Sequence, residues 1–333
     1  MVSPQRLYRI APFALAAAGL WLLSAACQAP AMGERIVFSS NRDGLDGSRH
    51  LWMVAPDDPA SITQLTTERV IDGGPSLSPD GTLVAFVRAP RSAPDALRIW
   101  VRSLRDGREA PVTTEAADAD MVDGQPFWAP DGHAIGFTRT LGPGPLGPVV
   151  QTIWSVDLDR SPDGISAGPP IRIASDKGGE RFHASWNPVT GSDLLFSRFV
   201  GGHAPYTIWR LDQPTGLERE VIPHGCCGNY DPAYSPDGRR FAYTSYGFSE
   251  HGGDVFVANA DGTGATRVSC ESGWASPAWS PDGTELLAQR LTAPHGLWRF
   301  AAPVAGGPCV APVQVTSGAY QDTDPTWGVV RLR

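Results

Sequence analysis

Lysine is nearly missing from this chain. Lys177 stands alone among 27 basic residues, the rest are arginine, and no basic run occurs anywhere. The scarcity reads as a GC-rich genome, not as chemistry. With a formal net charge of −8, the chain lacks the electrostatic footprint that nucleic-acid phosphates require, so nucleic acid is not expected as a partner. Helical periodicity is also missing: no stretch sustains apolar residues three and four apart, so no α/β catalytic domain is predicted. Phosphate loop, dinucleotide fingerprint and Cys-x-x-Cys pair are all lacking. Gly247-Phe-Ser-Glu-His251 approaches a nucleophile elbow, but it ends in His and no helix is predicted behind it.

What the chain has in abundance is turns. Its 37 Gly and 31 Pro fall at repeated positions, which marks short connections rather than disorder. The organising stretch is Pro277-Ala-Trp-Ser-Pro-Asp-Gly283. It recurs as Pro75-Ser-Leu-Ser-Pro-Asp-Gly81, Pro126-Phe-Trp-Ala-Pro-Asp-Gly132 and Pro232-Ala-Tyr-Ser-Pro-Asp-Gly238. A decayed copy reads Ala184-Ser-Trp-Asn-Pro-Val-Thr-Gly191, and Pro325-Thr-Trp-Gly328 is truncated. In each full copy Pro presets φ, Asp bonds the backbone beyond it, and Gly supplies a positive φ.

An apolar run follows each turn, as in Leu83-Val-Ala-Phe86 and Phe241-Ala-Tyr243. A third strand is marked by pairs such as Ile99-Trp100 and Leu297-Trp298, and a fourth by β-branched segments such as Thr266-Arg-Val268. Four strand signals at a period of roughly 45–58 residues predict a propeller. The fold expected is all-β: a six-bladed β-propeller with four antiparallel strands per blade. The last copy holds only an innermost strand, so Ile36-Val-Phe38 and its successors should complete that blade and leave no open sheet edge.

The repeated turn, with Ile36-Val-Phe-Ser-Ser-Asn-Arg-Asp-Gly44 upstream, resembles the repeat of the TolB-type propeller. The resemblance covers residues 34 to 330 or thereabouts and implies a fold more than a function. Similar propellers serve as periplasmic scaffolds and as lids of prolyl-oligopeptidase-like enzymes. TolB's extra N-terminal domain is not expected between Cys27 and Ile36, so TolB's own partners are not carried over.

Residues 1–27 read as a leader. Arg6 and Arg9 precede an apolar run from Ile10 to Ala26, and Leu23-Ser-Ala-Ala-Cys27 resembles a lipobox apart from Ser24. Cleavage before Cys27 and lipidation of its thiol are expected, with 28–34 as a tether and 35–333 as the propeller. The alternatives are an uncleaved anchor or plain secretion. Export makes disulfides permissible for the other cysteines. Cys226 and Cys227 enter blade four and Cys270 enters blade five, so a bridge from either of the pair to Cys270 is expected. A vicinal Cys226–Cys227 bond or free thiols are the rivals, and Cys309 is expected to be free.

The Ser-Pro-Asp-Gly turns mark one face, here the lower. Loops entering each innermost strand emerge on the upper face, where a central funnel forms a natural site. The funnel residues expected are Asp72, Asp123, Arg181, His183, Asn229, Asp231, Trp274, Ser276, Asp322 and Asp324. His183, His224 and Asp231 are the candidate ligands for a transition metal, and the acidic ring could hold Ca²⁺. The plainer reading is that Asp before Pro caps a turn, so no cofactor is required. The function expected is a non-catalytic, monomeric, lipid-anchored envelope module that binds a protein or peptide in the funnel. The alternative is a metal-dependent lyase or dehydrogenase acting there on sugars or small molecules.

Overall fold

The computed structural model describes residues 32–44, 47–114, 121–142, 150–161, 164–175, 178–199, 201, 205–223, 228–247, 252–304, 306–318 and 320–331. Cys27, His224, Cys226 and Cys227 lie outside the described residues.

The described residues open with β1 (Met32–Ser40), β2 (His50–Ala55) and β3 (Asp58–Gln64). Blade one follows as β4 (Val70–Leu77), β5 (Leu83–Pro90), β6 (Arg98–Ser103) and β7 (Glu109–Pro111). Blade two is β8 (Met121–Trp128), β9 (Ala134–Leu141), β10 (Val150–Ser161) and β12 (Ile171–Arg172), with β11 (Gly164–Ala167) added as a hairpin on β10. Blade three is β13 (Glu180–Trp186), β14 (Asp193–Phe199), β15 (Thr207–Asp212) and β16 (Leu217–Ile222). Blade four is β17 (Gly228–Tyr234), β18 (Arg240–Tyr246), β19 (Asp254–Asn259) and β20 (Thr266–Arg267). Blade five is β21 (Trp274–Trp279), β22 (Glu285–Arg290), β23 (Gly296–Ala301) and β24 (Val313–Gln314). The final strand, β25 (Thr323–Arg331), joins β1, β2 and β3 to make blade six. The protein is therefore a six-bladed propeller, and neighbouring innermost strands abut around the axis.

Closure is by antiparallel pairing of Ile36 with Trp327 and Val37 with Thr326. This removes the two open edges that the chain ends would otherwise present.

The repeated turn works through its side chains. Ser78 Oγ donates to Asp80 (2.7 Å) and accepts from the Leu83 N–H (2.9 Å), while Asp80 accepts from the Thr82 N–H (3.1 Å). Ser280 and Asp282 repeat the arrangement in blade five. Burial opposes ionisation of Asp80, but bonds from Ser78, Thr82 and Arg160 bring its pKa down to about 2. The motif aromatic of blades two to six then acts as a wedge between sheets. Trp128 packs with Leu83, Ala85 and Ile99 of blade one, and Trp279 packs with Ala242 and Val255 of blade four. Their indole N–H groups donate to backbone carbonyls of the preceding blade, Ser76 (2.9 Å) and Ala233 (3.0 Å). Each wedge thus buries apolar area and satisfies its polar atom in one move.

Cys270 is bonded to Cys309, with Cα atoms 5.0 Å apart. This corrects both the expected bridge to Cys226 or Cys227 and the expected free Cys309. The connection before β24 leaves its own sheet to lie along the end of blade four. There Ser269 and Val310 form a parallel bridge, and the Val310 N–H donates to Val268 O (2.9 Å). The bond therefore staples blade five to blade four.

Candidate functional site at the axial ring

Each innermost strand carries a bulge, and the bulge decides which side chains reach the axis. The register slips between Gly73 and Ser76, Gly124 and Phe127, Phe182 and Ser185, Tyr230 and Ala233, and Ala275 and Ala278. The residues skipped are a left-handed residue followed by Pro, or by Ala184 in blade three. Pro has no N–H to lose from the ladder, so it is well suited to a bulge. Gly74, Gln125, His183, Asp231, Ser276 and Asp324 all have φ between 49° and 54°. For the five that are not glycine, this is a costly conformation held by its surroundings.

The ten expected funnel residues accordingly separate into two sets. Asp72, Asp123, Arg181, Asn229, Trp274 and Asp322 are all at most 5% exposed and do not line the funnel. They face inward as blade supports. Asp72 holds Arg88 through two bonds (2.7 and 2.9 Å), and Asp123 holds Arg139 likewise (2.6 and 2.8 Å). Asp322 accepts from Arg42, Ser40 and Thr316. Trp274 lies under the Arg290 guanidinium at 4.4 Å. In a regular strand residues two apart share a face, which is why sequence reading grouped Arg181 with His183 and Asn229 with Asp231. The left-handed residue breaks that rule.

His183, Asp231, Ser276 and Asp324 are brought together at the axis, joined by Gln125, which sequence reading missed. The signal for Gln125 was present: it precedes Pro126 as Asp231 precedes Pro232. Gln125 Oε1 accepts from the His183 N–H (3.1 Å), and Gln289 Oε1 accepts from the Asp324 N–H (2.9 Å). His183 Nδ1 lies 2.6 Å from Asp231 Oδ1, with the two side chains 31% and 19% exposed. Burial disfavours the imidazolium, but Asp231 and then Asp324 outweigh it and raise the His183 pKa above its ordinary value. Burial likewise opposes Asp231, yet His183 and the Ser276 N–H hold its pKa below the usual range. Asp324 goes the other way, raised by burial and by the Asp231 charge although Thr323 donates to it. The ring thus presents an ion pair beside a carboxyl group that resists ionisation.

Among the described residues an aromatic lip rises beside the ring, from blades three and four. The Phe182 ring meets His183 edge-on at 5.0 Å and Tyr206 at 5.2 Å. Tyr206 contacts Tyr230 at 4.7 Å, and Tyr230 contacts Tyr246 at 5.3 Å. All three tyrosines remain partly exposed. Burial raises the Tyr246 pKa to about 12, aided by Asp231 and Tyr230, so its hydroxyl stays protonated.

The metal expectation gains only two of its three members. His183 and Asp231 meet, whereas His224 lies outside the described residues, and among those residues no three His, Cys, Asp or Glu side chains converge. His50 is buried between Asp43 Oδ2 and Glu68 O, each at 2.5 Å, and is structural. Gly164-Ile-Ser-Ala-Gly168 fits the elbow pattern letter for letter, but Ser166 lies on the outer hairpin strand β11, with no helix among the described residues to complete the motif.

No family model and no curated protein sequence matches the chain. Solved structures do. TolB from Acinetobacter baumannii aligns with a TM-score of 0.67 at 19% identity, covering 88% of this chain and 66% of that one. A putative TolB from Agrobacterium tumefaciens aligns with a TM-score of 0.58 at 17% identity, covering 90% and 99%. An oligogalacturonate lyase in complex with manganese aligns with a TM-score of 0.56 at 17% identity, covering 86% and 74%. The match spans just under two thirds of the Acinetobacter chain. At these identities the likeness establishes the propeller and nothing about activity.

Proposed function

We propose that this protein is an exported, non-catalytic propeller, anchored by lipid at Cys27, that binds a segment of an envelope protein or peptide at the axial ring. The observation that carries the reading is the pairing of the aromatic lip with the His183–Asp231 couple. Tyrosines offer large contact area with few rotamers to freeze, and their hydroxyls bond to a peptide backbone. Next to them, half-buried charged groups set orientation and specificity. Export fits the Cys270–Cys309 bond, since such staples persist in oxidising compartments. The TolB likeness supplies a precedent for the scaffold alone.

A photo-crosslinking phenylalanine at Tyr206, irradiated in intact cells, tests this reading. A discrete crosslinked species that vanishes with Tyr230→Ala supports it, provided the variant melts like the parent. No species, or one indifferent to Tyr230→Ala, overturns it.

The imidazole–carboxylate couple favours one second reading, a metal-dependent enzyme acting on a sugar or small molecule. The manganese-bound lyase among the structural neighbours gives it a precedent in the fold. Calorimetry of chelator-stripped protein with Mn²⁺ and Zn²⁺ separates the two. Heat of binding that disappears in His183→Ala supports the enzyme, and a flat trace removes it.

A further inference from the structure

We propose that the propeller is held with its lower, turn-bearing face against the lipid and its axial mouth toward the aqueous compartment. The partner is then a water-borne segment arriving from the side away from the bilayer. This inference rests on the anchor at Cys27 proposed above.

The direction of one strand carries the argument. β25 starts at Thr323 beside the axial ring and ends at Arg331 on the lower face. β1 pairs with it antiparallel, Ser39 with Thr323 and Met32 with Arg331. Met32, where the described chain begins, therefore lies at the lower face, and it is exposed. From Cys27 to Met32 the chain advances five residues, which span at most about 18 Å fully extended. To turn the mouth toward the lipid, the tether would first have to pass outward over β2 and β3, about 10 Å at the spacing of paired strands. It would then have to climb the height of β1, nine residues long and about 30 Å. The tether is short of that path by a factor of about two. Acyl chains add no length, because they are spent inside the bilayer. The lower-face carboxylates Asp80, Asp131, Asp237 and Asp282 do not reverse the outcome, since salt leaves their repulsion from anionic lipid unscreened only within about 10 Å, and a tether of up to about 18 Å lets the face stand off by more than that.

The test uses the full lipidated chain in vesicles whose headgroups carry nitroxide quenchers. A fluorophore is clicked onto an unnatural residue at Ser92, exposed in the upper β5–β6 connection, or at His133, exposed in the lower β8–β9 turn. Quenching several-fold stronger from His133 than from Ser92 is expected. Equal or reversed quenching in protein that floats with the vesicles overturns the orientation while leaving the anchor standing. Protein that fails to float, with no lipid mass on Cys27, overturns the anchor and the orientation together.

Discussion

Glu218 grips Arg181 through two guanidinium nitrogens, at 2.8 and 2.7 Å, from the outermost strand of the same blade. Arg181 stands where Asp72 and Asp123 stand in blades one and two, and it faces Arg198 in register as Asp72 faces Arg88. A carboxylate has been replaced by a cation, and Glu218 answers both arginines, reaching Arg198 at 3.1 Å. Burial and the like charge of Arg181 already hold the Arg198 pKa below its ordinary value. Glu218→Ala leaves two apposed cations and is expected to cost about 3–5 kcal/mol. The double variant Arg181→Asp with Glu218→Gln gives the Asp–Arg pairing that Asp123 and Arg139 make in blade two and should recover most of that loss. Urea denaturation measures both, and a double variant no better than the single would show that the blades do not share one design.

The Cys270–Cys309 bond joins positions 39 residues apart. Closing a loop of that length removes conformations from the unfolded chain and is worth about 3–4 kcal/mol. Reduction, or Cys270→Ala with Cys309→Ala, is expected to lower Tm by roughly 5–6 °C. Scanning calorimetry with and without reductant reads it. An unchanged Tm in the double variant means the parallel bridge between Ser269 and Val310 holds the blades without the sulfurs.

Gly81 and Gly44 share nearly the same backbone, φ of 65° and 66°. A methyl added at Gly44 meets open space, whereas one at Gly81 falls 1.9 Å from Val329 O on the closing strand. Gly44→Ala therefore bears only the left-handed penalty, about 1–2 kcal/mol. Gly81→Ala must also displace β25 and is expected to lose at least about 2 kcal/mol more. Equal losses by chemical denaturation would mean that the turn of blade one and the closing strand are not in contact in solution.

The parts of this fold that were legible in the sequence are those whose chemistry is local. Ser78, Asp80 and Gly81 make their turn from within five residues, so the repeat announces itself wherever the turn occurs. Closure was legible because a lone innermost strand around Trp327 needs neighbours, and Ile36–Phe38 has the matching pattern. The axial ring was only half legible. A period-two reading assigns Asp72 and position 74, or Arg181 and His183, to one face, and only the bulge separates them. Pro75, Pro126 and Pro232 inside strands were the available sign of a bulge. The Cys309 pairing was hidden because nothing in 302–312 tells which neighbouring sheet that connection will follow.

The His183–Asp231 couple sets a pH window. His183 has a raised folded pKa, so its contribution to stability is complete below the ordinary imidazole range and is lost as pH rises through the folded value. Asp231 has a lowered folded pKa, so its contribution is complete above the ordinary carboxylate range and is lost as pH falls through the folded value. Both hold together between about pH 4 and 6.5, the unfolded references. The Tm gap between the parent and Asp231→Asn should therefore be widest near pH 5–6 and should narrow at alkaline pH. In the same variant the imidazole protons of His183, followed by NMR, should titrate at lower pH than in the parent, because the opposing burial remains and the favourable charge is gone. Asp324 loses the repulsion of Asp231 and should ionise more readily. A His183 titration unmoved by Asp231→Asn would dissolve the couple, and with it the charged half of the binding ring.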